Sequence, residues 1–323
     1  MIKAGLKWMF LILGTMIGAG YASGRELWQF FGQESAVAIG LFTLLFIIST
    51  YVMMMLSYKG QTIHYKPVLE KLLGGKMTIL YDGMIFIYLF TTTVVMLAGG
   101  GAALIAVGIP YWVGILLISG CLVLLFIRGN KGVISINIII IPLLILLLVG
   151  VLLKFGQTTK GLWIIDFTHQ SNWTSAFTFT ALNVLPLAAI LGAIGREIKS
   201  KGEIWIAALG SGLLLGIISF LYNESLVHVG NDVMIYEMPL FALLKNYPYA
   251  MTFVMTVLLW CAIYTTAASG ILGLVTRIKK VFHRPLWEIA LGLVLIMIPF
   301  TTVGFAKLIT ILYPIYGILN LYS

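Results

Sequence analysis

The residues best placed to do chemistry form one short run, Gly14-Thr15-Met16-Ile17-Gly18-Ala19-Gly20-Tyr21-Ala22-Ser23-Gly24, inside the first apolar segment. Glycine weakens a helix because it adds no side-chain packing and loses much backbone freedom on folding. Four glycines in eleven residues mark a place where a helix opens. Opened backbone in a bilayer is tolerated only where it is buried in protein or lines a cavity. The chemistry this implies is recognition of a small polar solute or an ion. A second interruption is expected in Phe177-Thr178-Phe179-Thr180-Ala181-Leu182-Asn183-Val184-Leu185-Pro186. Pro186 removes one N–H and its ring clashes with the Leu182 carbonyl, and Asn183 puts an amide beside the break. Paired interruptions in corresponding helices point to a binding site at membrane mid-depth. The glycines also have a plainer use in close helix packing, since Gly14/Gly18 and Gly20/Gly24 are four apart, but packing does not account for Pro186.

Other chemistry has little support. No HExxH, GxSxG or phosphate-loop pattern occurs, so the chain does not read as an enzyme or a nucleotide-driven pump. His64, His169, His228 and His283 are far apart and show no metal-ligand spacing. Cys121 and Cys261 lie in apolar segments and read as small buried side chains. Charges beside apolar helices face a partner, the bundle interior or water, and four call for attention: Arg25, Glu26, Glu224 and Lys307. Glu26 with Lys307 fits an outer gate. Glu224 is open to three roles: pairing with Arg25, binding a proton, or simple solvation at the headgroups. Asp82 reads as a helix-start residue. Glu197, Glu203 and Glu288 read as surface charge among inner-loop Lys and Arg.

The elements that must hold these residues are membrane helices. The chain of 323 residues is 61% hydrophobic and 10% charged, against about 25% charged in soluble domains. The apolar runs predict ten spans, at 6–30, 35–58, 79–107, 111–127, 133–154, 173–196, 203–229, 249–277, 286–303 and 305–322. The segment 230–248 is expected to be a loop with a short surface helix. Lys3, Lys7 and the apolar run to Ile17 imitate a secretory signal, but the segment continues past its small residues, so no cleavage is expected. With the N-terminus inside, fifteen of the twenty Lys and Arg fall on the inner side. Inverting the chain or losing a span destroys that bias. The net charge of +9 is thus explained by topology and not by nucleic acid. The expectation is one all-α polytopic domain, 1–323, in a bacterial plasma membrane with both termini cytoplasmic. It divides into repeats of about 1–155 and 172–323. Five spans per repeat is odd, so the two repeats enter the membrane from opposite sides.

On these residues the chain resembles the amino acid–polyamine–organocation superfamily, whose members share the LeuT fold of two inverted five-helix repeats with helices 1 and 6 broken. Through Gly14 to Glu26 it is similar to the YkvI-like bacterial membrane proteins. The resemblance implies a secondary transporter working by alternating access, coupled to a cation gradient. It also implies a sodium ion, the one ligand expected in place of a cofactor. That ion would be held by the carbonyls of Gly14, Ile17 and Ala262 and the hydroxyls of Thr265 and Thr266. Positions 262, 265 and 266 share one helix face, and neutral oxygens can replace a sodium ion's hydration shell. The same hydroxyls can instead bond back to the preceding turn. Tyr21 stands where relatives with a second sodium carry an asparagine. No lysine occurs between Val133 and Leu153, where some proton-coupled relatives carry one, which favours sodium. For the solute, the free amides of Gly18, Ala19 and Gly20 suit a carboxylate and the carbonyls around Thr180 and Asn183 an ammonium group, so a zwitterionic amino acid is expected. Tyr88 and Phe177 are expected as pocket walls. The alternative is a membrane sensor or channel that keeps the fold without coupled transport. A channel needs a continuous polar ring, which is not evident. A sensor needs a signalling domain.

Overall fold

The structure, a computed structural model, describes residues 1–33, 35–62, 66–128, 133–159, 170–230, 232–279 and 284–321. His64, His169, His283, Lys131, Lys160 and Lys280 lie outside the described residues. Helix is the only regular element among those described. In chain order the helices are α1 (Ile2–Met16), α2 (Ala19–Ala22), α3 (Arg25–Phe30), α4 (Ala36–Gly60), α5 (Lys66–Ile105), α6 (Tyr111–Arg128) and α7 (Val133–Thr158). The second half holds α8 (Ser175–Ala193), α9 (Lys201–Val229), the short α10 (Asp232–Ile235) and α11 (Leu240–Leu244), α12 (Tyr249–Ile278), α13 (Leu286–Met297) and α14 (Phe305–Leu321). Seven described helices are long and apolar enough to cross a membrane, and Tyr111–Ile127 and Phe305–Leu321 are shorter apolar helices. The first span is divided into α1, α2 and α3, which completes the ten.

Packing follows an exchange rule. With α1–α3 as span 1 and α8 as span 6, span 1 packs on span 7 (α9) as span 6 packs on span 2 (α4). Span 5 (α7) meets span 8 (α12) as span 10 (α14) meets span 3 (α5). Spans 3 and 8 pack on each other, as do spans 4 and 9. This is what two five-span repeats of opposite orientation produce.

The first span opens where the glycines predict. The Gly18 N–H turns to the Met16 carbonyl at 2.9 Å, so the Gly14 carbonyl loses its i+4 donor. A second bend follows at Gly24, which has φ +81°. A Cβ there would also lie 2.8 Å from the Tyr222 ring, so only glycine satisfies both the backbone and the contact. The matching break in span 6 is not found: α8 runs from Ser175 to Ala193 with Pro186 inside. Proline leaves the Leu182 carbonyl without an i+4 donor, but neighbouring helices tolerate one such gap.

Three other expectations are corrected. Asp82 does not start a helix, because α5 begins at Lys66, and Asp82 pairs with Arg277 of α12. Glu203 is buried and accepts bonds from Trp8 Nε1 at 3.2 Å and the Lys199 amide at 3.3 Å, so it is a structural acceptor at the start of α9 and not surface charge. In 230–248, the expected surface helix is two helices, and all five residues of α11 are buried.

Candidate functional site

A cavity of about 910 Å³ lies between α1, α5, α8, α12 and α14, within the size range of small-molecule sites. Gly18 and Glu26 line it at the break in span 1, and Asp82 and Arg277 line it toward one face of the bundle. The Arg277–Asp82 pair is partly exposed, whereas Glu26 is 6% exposed. The cavity therefore reaches solvent at the Arg277 end and is closed at the other.

Closure at the far end has identifiable parts. The Leu240 N–H of α11 donates to the Ser23 carbonyl at 2.9 Å. Tyr222 of α9 donates to the Ala22 carbonyl at 3.1 Å. Phe179 of α8 meets Phe30, Phe31 and Phe42 at centroid distances of 5.1, 4.9 and 4.8 Å. Tyr21, fully buried, bonds Ser219 and the Leu215 carbonyl, which fastens α2 to α9.

Of the expected solute residues, Gly18, Tyr88 and Asn183 line the cavity. Asn183 donates from Nδ2 to the Phe179 carbonyl at 2.8 Å, which leaves Oδ1 to accept. Tyr88 meets the Tyr316 ring edge-on at 5.2 Å. Ala19 and Gly20 are buried beside the break without lining the cavity. Thr180 is buried and bonds back to the Ala176 carbonyl at 2.7 Å. Phe177 is no pocket wall: it is 39% exposed and meets the Trp173 ring edge-on at 6.1 Å. Two residues on an α-helix diverge by about 200°, so Phe179 turns inward as Phe177 turns out.

At the expected ion site, Thr265 and Thr266 both donate to the Ala262 carbonyl at 2.9 Å. The Ile17 carbonyl has no backbone donor among the described residues. A Cβ on Gly18 would lie 3.9 Å from the Thr266 methyl, so the opened strand of span 1 runs beside this turn of α12.

The gate residues are not where the sequence puts them. Glu26 faces the cavity and Lys307 is exposed on α14, so they form no pair. Arg25 is 9% exposed and its Nε has no hydrogen-bond partner. It senses Glu237, whose carboxylate accepts the Ala306 amide at 2.7 Å. Glu224 is half-buried and in no ion pair among the described residues. Adjacent helix residues project in different directions, so Glu26 lines the cavity while Arg25 does not, and neither Glu26 with Lys307 nor Glu224 with Arg25 forms an ion pair among the described residues. Sequence reasoning also missed Tyr313, which lines the cavity from α14, and the Asp82–Arg277 pair. The separation of 195 residues left no signal for that pair, while Glu26 at i+6 from Gly20 was visible but assigned outward.

No family model matches the chain. It is 50% identical over 320 residues to the uncharacterised protein YyaD of Bacillus subtilis (strain 168), covering 99% of this chain and 95% of the relative. It is 25% identical over 328 residues to the uncharacterised membrane protein YkvI of the same organism, covering 97% and 92%. Among solved structures it superposes on MhsT in complex with L-phenylalanine with a TM-score of 0.67, at 17% identity, over 94% of this chain and 80% of that one. A Na+-coupled sialic acid symporter in a substrate-bound outward-open state gives 0.63, at 13% identity, over 99% and 75%. Mhp1 in an inward-facing conformation gives 0.59, at 14% identity, over 99% and 73%. The chain belongs to the family of the Bacillus subtilis protein YyaD, is more distantly similar to YkvI, and has the LeuT fold of multi-pass membrane proteins.

Proposed function

We propose that the chain is a secondary transporter, not an enzyme, that carries a small amino-group-bearing solute across the bacterial plasma membrane by alternating access. The observation that carries this reading is one cavity, built at the break in span 1, open toward Arg277 and closed by α11 and the Phe179 cluster at the other end. Such a half-closed site is one of the two states alternating access requires. The charge count supports a cytoplasmic open end. Sodium is the favoured coupling ion. The support is that the Thr265 and Thr266 hydroxyls, which donate to the Ala262 carbonyl and keep lone pairs, lie on a turn that runs beside Gly18, next to the donor-poor carbonyl of Ile17. A sensor or channel would not need this combination of a one-sided cavity and an adjacent neutral oxygen cluster.

The test is uptake into proteoliposomes of labelled amino acids and amines, singly, with sodium imposed outside against potassium. The reading predicts sodium-stimulated accumulation of at least one solute, abolished by dissipating the gradient. Downhill flux that never becomes uphill under any imposed gradient would favour the channel.

A further inference from the structure

Glu26 sits where the expected solute would place its own carboxylate. A Cβ on Gly20 would come within 2.6 Å of Glu26 Cδ and Cγ, so the acidic group lies directly on the glycine at the break. A solute carboxylate approaching Gly20 would thus meet an acidic group that belongs to the protein. Helix α2 is only four residues long, too short for its dipole to attract a second anion. Glu26 is more than nine-tenths buried, lines the cavity, and takes part in no ion pair among the described residues. Tyr88 and Tyr313 line the same cavity. Burying an unpaired carboxylate is costly unless a counter-charge arrives. A buried carboxylate in a cavity also lined by tyrosines suits an organic ammonium ion, through charge, hydrogen bonding and cation–π attraction.

We propose that Glu26 anchors the ammonium group of the solute, and that the solute class is an organic amine lacking an α-carboxylate. A zwitterionic amino acid whose carboxylate approached the break would bring a second carboxylate against Glu26, and like charges buried together repel. Asn183 Oδ1, across the cavity on α8, accepts a further ammonium proton. The proposal rests on the transporter reading only in taking this cavity as the solute site.

Matched pairs separate the alternatives: leucine with isoamylamine and phenylalanine with phenethylamine, each differing only by the carboxylate. Ligand-dependent thermal shifts of the purified full chain give the affinities. The expected result is that the amines bind about tenfold or more tighter than their amino acids. Glu26→Gln, which keeps shape and removes charge, should erase that preference. Gly20→Ala should weaken amine binding independently by displacing the carboxylate, and its unliganded melting and gel-filtration profile show whether it is folded. Amino acids that bind as well as their amines overturn the proposal and leave the transporter reading standing. Amine affinity unchanged in a folded Glu26→Gln or Gly20→Ala protein overturns it too. Stabilisation by sodium alone, lost in Glu26→Gln and with no amine effect, assigns the carboxylate to the ion and also overturns it. Binding of neither class to the wild type refutes the amine proposal, whereas the transporter reading falls only if cavity access never changes sides.

Discussion

Single hydroxyls decide the ion question. Thr265 and Thr266 donate to one carbonyl, that of Ala262, and each bond contributes about 0.5–1.5 kcal/mol net. A Thr265→Val/Thr266→Val double substitution should therefore lower sodium-free stability modestly, because valine keeps the shape. The sodium concentration at the midpoint of stabilisation should rise about tenfold or more. Thermal melts across a sodium titration, with potassium as control, measure both effects, and an unchanged sodium midpoint removes these residues from the site. The same scale shows what was legible beforehand. Residue type and spacing placed Gly18, Asn183 and Tyr88 at the cavity, because backbone breaks and polar groups in apolar runs are local signals. Phe177 turns outward against expectation because Phe and Thr alternate over 177–180, which leaves the helix phase undefined in the sequence. Glu26 was seen but turned outward, since its direction depends on the bend at Gly24, a tertiary accommodation of Tyr222.

At the scale of elements, the two repeats differ in how they break. Span 1 divides into three helices, whereas α8 stays continuous with proline inside it. Proline within a helix costs about 3 kcal/mol in an exposed setting, part of which neighbouring packing offsets here. Pro186→Ala should restore a donor to the Leu182 carbonyl, raise the melting temperature and weaken solute binding by removing a polar oxygen from the cavity wall. A melting temperature at or below wild type would show that the proline is already fully accommodated. The lid behaves as a separate element. Tyr222→Phe deletes the bond to the Ala22 carbonyl and should loosen the end closed by α11. Labelling of a cavity cysteine from the α11 side should rise severalfold, and equal labelling in both proteins would mean that α11 and the aromatic cluster hold that end alone. Periodicity gave ten spans, but not that α11 packs inward, because five apolar residues between loops carry no phase of their own.

For the whole molecule, the exchange of packing partners between halves and the one-sided cavity belong together. Two repeats inserted in opposite directions supply two related ways of packing, and the structure occupies the one with the Arg277 end open. A solute and its coupling ion shift such an equilibrium only by binding the two states differently, and a factor of ten requires about 1.4 kcal/mol. The most direct measurement uses a chain with Cys121 and Cys261 replaced by alanine and a single cysteine at Asn183, probed with a membrane-impermeant maleimide from each face of oriented vesicles. The account predicts labelling from the Arg277 face without sodium, and from the α11 face once sodium is present and solute absent. Labelling from one face alone under every ionic condition, or from both faces at once, would contradict alternating access.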